Sequence, residues 1–209
     1  MVMNSNVKLI GDYLDKLFPN PKTELNFNCD YELLIAVMLS AQTTDKRVNE
    51  VTRVLFSKYT LKVLSEADTS DLERILRPLG SFRKKALYTK SIAKILIDEY
   101  DGIVPVDKEV LIKFPGVGKK TANVFLSEFY GYPAIAVDTH VERVAKRLKL
   151  AYMKDDVLVV EKKLEKKFPK NEWSRRHLQF LLFGRYYCKA IKPECKNCNL
   201  KDICRNYKN

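Results

Sequence analysis

Apolar residues recur at spacings of three and four along almost the whole chain, with charged and polar residues between them. This spacing places apolar side chains on one face of an α-helix and predicts amphipathic helices. No stretch alternates at every second position, as a half-buried strand does. We therefore predict an all-α fold with short polar connections. The predicted helices cover residues 7–18, 31–40, 47–59, 71–77, 82–100, 110–114, 119–130, 139–148, 156–168 and 173–188.

The segment 31–40 differs from the other predicted helices because it is apolar nearly all round. A helix of this kind is buried on every side. We expect it to lie at the centre of a helical core.

Length and charge narrow the class of protein. The 209 residues suffice for one large domain or two small ones. The net charge of +12 and the pI near 9.4 suit a polyanionic partner. No apolar run approaches the ~20 residues that span a bilayer, and the first residues lack a signal-peptide pattern. We expect an intracellular protein without a membrane partner, whose five cysteines are not disulfide-bonded.

The segment 114–140 combines residue types that suit a phosphate-containing ligand. Pro115 fixes its own φ, while Gly116 and Gly118 permit positive φ and close approach of a ligand. A tight turn with outward N–H groups can bind phosphate oxygens. We interpret this loop as a backbone phosphate clamp.

Two lysines, Lys119 and Lys120, open the helix 119–130, which Gly131 ends. In the first turn the helix macrodipole disfavours a proton on the Lys120 amine, and partial burial would act in the same direction. A neutral lysine is a candidate nucleophile. The alternative is that both lysines contact DNA phosphates or solvent.

Asp138 is the carboxylate that follows the apolar run 134–137. Ten residues of helix rise roughly 15 Å, and an extended return over 134–137 spans roughly 13 Å. Since the two lengths nearly cancel, we expect Asp138 to lie beside Lys120.

The runs P-G-V-G-K-K-T-A-N-V and A-V-D-T-H closely resemble the endonuclease III family of helix-hairpin-helix DNA glycosylases. The resemblance extends over nearly the whole chain, from T-E-L-N-F near Thr23 to the last cysteine. It implies that Lys120 is the Schiff-base lysine and that Asp138 is the family's essential aspartate. It also implies that the loop binds DNA through Gly116, Val117, Gly118 and Lys119.

The resemblance further implies two helical lobes with a DNA-binding cleft between them. A six-helix lobe with the helix-hairpin-helix motif is expected at 21–131. The second lobe joins 1–20 to 132–209 and carries a C-terminal iron-sulfur cluster loop. Lys120 and Asp138 then come from opposite sides of the boundary, where ligand clefts tend to lie.

Gln42 belongs to the polar run 40–45 after the apolar helix. The residues alone indicate a helix C-terminus, with Asp45 as a plausible N-cap for the next helix. The resemblance implies that Gln42 fills the gap left in the duplex when a nucleotide is flipped out.

Arg83, Lys84 and Lys85 open the predicted helix 82–100. Cations are unfavourable at the start of a helix, which indicates that they are placed for an external anion. We take Lys84 as the DNA contact among them.

Members of the family carry a leucine just after the glycine of this turn as a duplex wedge. This chain has Ser81 at that position. Leu79 and Phe82 are candidate substitutes, and an ordinary buried Phe82 is the alternative.

Four cysteines near the C-terminus are spaced C-x6-C-x2-C-x5-C, which predicts a metal site at Cys188, Cys195, Cys198 and Cys204. Spacing alone does not choose between zinc and a 4Fe-4S cluster. The resemblance implies a 4Fe-4S cluster. Basic residues among the ligands favour a structural, DNA-docking role over catalysis; we expect DNA contacts from Lys189, Lys192 and Lys196.

The activity implied by the resemblance is that of a bifunctional DNA glycosylase and AP lyase in base excision repair, acting on oxidised pyrimidines in damaged double-stranded DNA. We expect a monomer in the cytoplasm, associated with the nucleoid if the source is prokaryotic. The alternatives are a non-enzymatic DNA-binding metalloprotein, a glycosylase for another lesion such as pyrimidine dimers, and an electron carrier.

Overall fold

The structure, a computed structural model, describes residues 5–207. This part of the chain contains eleven α-helices, three short 3-10 helices and no strand, so the predicted all-α fold is confirmed. Among the described residues, no helix has the length and apolar composition to cross a membrane. The α-helices are α1 (Ser5–Leu17), α2 (Asp30–Leu39), α3 (Asp45–Lys58), α4 (Leu61–Glu66), α5 (Thr69–Leu76), α6 (Phe82–Glu99), α7 (Lys108–Leu111), α8 (Lys119–Tyr130), α9 (Thr139–Arg147), α10 (Val157–Lys167) and α11 (Trp173–Tyr186). The 3-10 helices are Lys170–Glu172, Cys195–Asn197 and Lys201–Ile203.

The chain folds into two compact units. The central unit, Glu24–Tyr130, contains α2–α8. The terminal unit joins the N-terminal segment up to Thr23 to the chain from Gly131 onward, and contains α1 and α9–α11. The functional division into lobes at 21–131 and at 1–20 plus 132–209 stays a prediction.

The core of the central unit is built around α2. Residues 33–39 are all buried, and the helix packs against α3, α6 and α8. The polar end of α2 is satisfied locally, since the Glu32 carboxylate accepts hydrogen bonds from the Asn28 main-chain and side-chain nitrogens at 2.7 and 3.0 Å. The predicted central buried helix is confirmed.

In the terminal unit, α11 packs against α1 and α9. A polar network joins α11 to α1 within this packing. The Arg176 guanidinium, with a side chain only 5% exposed, donates to Asp15 Oδ1 at 2.9 Å and to the Gly11 carbonyl at 3.0 Å. Gln179 Nε2 donates to the same Asp15 oxygen at 2.9 Å. The buried side chains of Arg176 and Gln179 are therefore satisfied by α1, as burial requires.

The helix α4 is absent from the sequence prediction. It has six residues and buries only Leu61 and Leu64. One pair of apolar positions is too short a pattern to distinguish a helix from a loop. Its N-cap is Thr60, whose hydroxyl accepts from the Val63 N–H at 3.4 Å.

The expected N-cap of α3 is wrong by one residue. Asp45 is the first residue of the helix, and Thr44 is the cap. The Thr44 hydroxyl accepts a hydrogen bond from the Arg47 N–H at 3.4 Å. Both residue types serve as caps, so composition alone could not separate them.

Candidate functional site

The glycine loop connects α7 to α8 in the central unit, and its two glycines have different reasons to be there. Gly116 has φ +78°, and a Cβ at this position would lie 2.5 Å from Tyr88 Cδ2 and 3.1 Å from Met38 Cγ. Gly118 lies outside the left-handed region, and its Cβ would meet nothing within 4 Å. The expectation of positive φ therefore holds at Gly116 only. Packing within the protein requires Gly116, whereas Gly118 leaves the loop surface bare.

Val117, between the two glycines, is buried, and its N–H donates to the Phe114 carbonyl at 3.0 Å. This N–H is therefore engaged within the loop. The exposed face of the loop consists of Gly116, Gly118 and Lys119.

Lys120 lies in the first turn of α8, as predicted. Its side chain is exposed. The first turn of α8 contains no acidic residue. The amine of Lys120 is accordingly open to a ligand approaching the start of this helix.

Asp138 is the N-cap of α9 in the terminal unit. Its Oδ1 accepts hydrogen bonds from the His140 and Val141 N–H groups at 2.9 and 2.8 Å. The preceding run 134–137 is buried, as its composition predicted. Lys120 and Asp138 belong to different units, and their expected side-by-side placement stays a prediction.

Arg143, one turn into α9, connects the Asp138 end of this helix to the cysteine region. Its guanidinium donates to the carbonyls of Gly184 and Cys188 at 2.8 and 3.1 Å and contacts His140 Nδ1 at 3.2 Å. Burial, followed by the nearby charge of Arg147, lowers the pKa of the Arg143 guanidinium. His140 is thus held by a contact with the Arg143 side chain.

The four C-terminal cysteines line one cavity, together with apolar groups that include Leu148 and Phe183. Burial raises the pKa of the Cys195 and Cys198 thiols, and the neighbouring cysteines raise it further. No three ligand-type side chains among residues 5–207 lie close enough together to hold a single metal ion.

Two nitrogen donors point at the sulfurs. Arg147 Nη1 lies 3.4 Å from Cys188 Sγ, and the Asn206 N–H lies 3.4 Å from Cys204 Sγ. Donors of this kind stabilise thiolate ligands and tune a bound cluster. The donor set therefore fits a four-thiolate iron-sulfur group.

The lysines of the cysteine region differ in whether a carboxylate pairs with them. Lys189 pairs with Glu194 at 3.1 Å. Lys192 and Lys196 are exposed, and Lys192 has φ +50°. Neither Lys192 nor Lys196 has a carboxylate partner within the described part of the chain.

Among the exposed non-glycine residues of the central unit, Gln42, Ser81 and Asp101 have left-handed backbones, and the first two lie in turns singled out by the sequence. Gln42, after α2, has φ +56°, and Ser81, before α6, has φ +55°. Non-glycine residues rarely adopt this conformation, and it tends to mark functional sites. Leu79 is buried, which removes it as a wedge candidate, and Phe82 packs partly against the core.

Of the three cations expected to face an external anion, Arg83 and Lys84 are exposed. Lys85 is buried, with its side chain turned toward the interior of the unit. The expectation is therefore wrong for Lys85. Neighbouring helical positions point about 100° apart, so three cations in a row cannot all face one ligand.

Comparisons with known proteins identify the family of the chain. Residues 35–170 match the family described as HhH-GPD superfamily base excision DNA repair protein. The chain is 47% identical to endonuclease III of Bacillus subtilis (strain 168) over 204 residues, which covers 96% of this chain and 93% of the relative.

The chain belongs to the endonuclease III family. Endonuclease III of Escherichia coli (strain K12) is 42% identical over 187 residues, covering 89% of this chain and 88% of that one. A solved structure of a trapped endonuclease III–DNA covalent intermediate, an estranged-adenine complex, matches with a TM-score of 0.92 and 48% identity, covering 98% of this chain and 97% of that chain.

Sequence reasoning about this endonuclease III family member missed Arg147. The Arg147 guanidinium donates to the carbonyls of Lys189 and Ala190 at 2.7 and 3.2 Å, and its own carbonyl accepts from the Arg205 N–H at 2.8 Å. It thereby holds both ends of the cysteine region. The available signal was the pair Arg143 and Arg147 at i, i+4 on a helix with a buried face, which places both guanidiniums on the same side.

Proposed function

We propose that this endonuclease III family member is a base excision repair DNA glycosylase with AP lyase activity, which removes oxidised pyrimidines from duplex DNA. The observation that carries the proposal is the exposed Lys120 amine in the first turn of α8, directly after the glycine loop. An accessible amine beside a bare backbone turn can approach the sugar of a nucleotide whose phosphate the turn binds.

The glycosylase step starts with the damaged nucleotide rotated out of the duplex, which costs least for a poorly stacked base. Nζ of Lys120, as the free amine, attacks C1′ of the sugar. The bond from C1′ to the base breaks, and the base leaves with the electron pair and takes up a proton. After the nitrogen loses a proton, its lone pair expels the ring oxygen, which is protonated, and an iminium remains between Nζ and C1′.

The lyase step follows from this iminium. It withdraws electrons from C1′ and makes the C2′ proton acidic. A base removes that proton, and the electron pair forms a C2′–C3′ double bond as the 3′ phosphate oxygen departs. The strand is therefore cut on the 3′ side, and one lysine supports both activities.

Asp138 is proposed to stabilise positive charge that develops on the sugar. Its Oδ1 is engaged by two N–H groups of α9, which fixes the carboxylate in direction while leaving Oδ2 for the substrate. A fixed charge aimed at a developing charge lowers the barrier without reorganising during the reaction.

DNA binding is proposed to use the backbone of Gly116, Gly118 and Lys119 as a phosphate clamp, with Val117 supporting the loop from inside, since its N–H is engaged by the Phe114 carbonyl. Further phosphate contacts come from Lys84, Lys189, Lys192 and Lys196, and Gln42 enters the duplex. The surface at Gly118 supports the clamp. A Cβ added there would meet no atom within 4 Å, so a ligand can approach the backbone closely.

We further propose that Cys188, Cys195, Cys198 and Cys204 hold a 4Fe-4S cluster. When bound, the cluster supplies a rigid cross-link between the end of α11 and the two 3-10 turns that follow. Fixing the loop in this way lowers the ordering entropy of its phosphate contacts. A yellow-brown protein that absorbs in the visible blue is expected, and a colourless zinc-containing protein would overturn this assignment.

Borohydride trapping tests the nucleophile. The protein is expected to form a covalent adduct on duplex DNA with an oxidised pyrimidine, and Lys120→Ala is expected to abolish it. Lys119→Ala is the matched neighbour: it should bind DNA more weakly but still be trapped when DNA is saturating. An adduct that persists in Lys120→Ala would assign the nucleophile to another residue.

Single-lesion duplexes test the substrate class. Base release and strand scission are scored separately for an oxidised pyrimidine, a pyrimidine dimer and an abasic site. Base release from the oxidised pyrimidine is the expected result. If base release occurs only from the pyrimidine dimer, the proposed reaction stands and the substrate is the dimer instead of the oxidised pyrimidine.

A further inference from the structure

Lys85 is a buried lysine that the chemistry proposed above leaves without a role. It lies in the first turn of α6 and its residue is 5% exposed, whereas its neighbours Arg83 and Lys84 are exposed. Burial lowers the pKa of the Lys85 amine. Burying an ammonium group opposes folding, and a methionine would fill the same space without that penalty. The amine must therefore be explained by what it binds.

The Lys85 amine binds both sides of the turn that carries Gln42. Its Nζ donates to the Ala41 carbonyl at 2.9 Å and to Thr43 Oγ1 at 3.2 Å. The turn is also closed by the Thr43 N–H, which donates to the Ser40 carbonyl at 3.0 Å. Gln42 itself is exposed. The amine therefore binds the residues on either side of Gln42 and leaves the Gln42 side chain accessible.

Lys85 also lies one helical turn from Ser81, the N-cap of α6. The Lys85 N–H donates to the Ser81 carbonyl at 3.1 Å, which is the first main-chain hydrogen bond of α6 and does not depend on the side chain. Gln42 and Ser81 both have left-handed φ. The Lys85 side chain therefore ties the Gln42 turn to the start of the helix that Ser81 caps.

We propose that Lys85 is a positioning residue that holds the Gln42 and Ser81 turns at a fixed spacing, so that both enter the duplex together when the damaged nucleotide is extruded. This inference rests on the proposed glycosylase function. It assigns Lys85 to the extrusion step and leaves the bond-breaking steps to Lys120, which lies on a different helix. The defect of a Lys85 variant should therefore depend on how well the target base is paired.

The test compares base release from a normally paired oxidised pyrimidine with release from the same lesion placed in a bulge, where little extrusion energy is needed. Lys85→Met removes the donors and keeps an unbranched side chain that is one atom shorter. The rate of single-turnover base release from the paired lesion is expected to fall roughly tenfold, because a small misplacement of the groups that hold the substrate slows the reaction by factors of this size. Release from the bulged lesion should stay within about twofold of the parent.

Two further variants keep the test sharp. Thr43→Val removes only the hydroxyl acceptor, and it should give a smaller loss in the same direction, even if Lys85→Met fails to fold. Lys94→Met, an exposed lysine on the same helix that pairs with Asp98 at 3.2 Å, should match the parent on both substrates. A fluorescent base analogue next to the lesion reports extrusion directly and should show less of it in Lys85→Met and Thr43→Val.

Equal losses on paired and bulged lesions would overturn the proposal, because they indicate general damage to the enzyme. Unchanged release from the paired lesion would overturn it as well. If the parent protein is never trapped on DNA, the proposed function is rejected instead. The fluorescence signal for base extrusion would then decide, without any measurement of base release, whether Lys85 positions the two turns.

Discussion

Asp138 caps α9 through one carboxylate oxygen, and a second, catalytic role is proposed for the same side chain. Its Oδ1 caps α9 through the N–H groups of His140 and Val141, and its negative charge is proposed to act on the sugar. A cap alone would explain the residue, since aspartate is among the preferred N-caps. Substitutions can separate the two because asparagine caps about as well as aspartate and carries no charge.

Asp138→Asn is expected to change the free energy of unfolding by less than about 0.5 kcal/mol and to slow single-turnover base release roughly 100-fold or more. Asp138→Ala should lose the same activity and, in addition, about 1 kcal/mol of stability. Denaturant unfolding and single-turnover kinetics measure the two effects. Full activity in Asp138→Asn would leave Asp138 as a cap and nothing more.

Individual residues were predictable where their chemistry is local and not where it depends on neighbours distant in sequence. The glycine loop and the start of α8 could be predicted because glycine, proline and helix periodicity act within a few residues. The inward turn of Lys85 could not, since it depends on acceptors at Ala41 and Thr43, more than forty residues away. Gly118 shows the same limit: its sequence neighbours do not reveal that the space around it is open.

At the scale of helices, hydrophobic periodicity predicted ten of the eleven α-helices in the described residues. The buried character of α2 followed from its uniform apolar composition. The missing element, α4, is too short to show a period. How α1 and α11 bind each other through polar groups was not predictable, because Asp15 and Arg176 are separated by 161 residues.

Asp15 provides a test of this helix pair. Burial acts to raise the pKa of Asp15, but hydrogen bonds from Gln179 and Arg176, with the charges of Arg176 and Arg175, outweigh it and hold the pKa below 3.8. Because the folded-state pKa is lower than the unfolded one, the folded chain binds fewer protons over this range. The contribution of Asp15 to stability is therefore present above the unfolded-state pKa and is lost as the pH falls through the folded-state pKa.

Asp15→Asn is expected to lower the free energy of unfolding by about 1–2 kcal/mol near neutral pH, since Arg176 loses a charged acceptor. The difference between parent and variant should shrink toward zero as the pH drops below about 4. Asp12→Asn, an exposed carboxylate on the same helix, is the control and should change little at any pH. A difference that stays constant with pH would show that packing, and not the charge of Asp15, joins α1 to α11.

At the scale of the whole molecule, the net charge of +12 favours a polyanion, but it does not say which cations meet it. Each phosphate neutralised releases counterions, so the salt dependence of binding counts the contacts made. The structure separates the lysines of the cysteine region into those already paired and those that are exposed. Lys189 pairs with Glu194 at 3.1 Å, and Lys192 is exposed on a turn with φ +50°.

Lys192→Ala is therefore expected to reduce the slope of log Kd against log salt by about one and to weaken binding to damaged and undamaged duplexes alike. Lys189→Ala should reduce the slope by less, because its charge is partly neutralised by Glu194 before DNA arrives. Titrations at several salt concentrations measure both slopes. Lys62→Ala is the control, because Lys62 lies on α4 of the other unit and no DNA contact is proposed for it. Equal slopes for Lys189→Ala and Lys192→Ala would mean that the Glu194 pair opens on binding, so that the exposed surface of the free chain does not determine which lysines reach the phosphates.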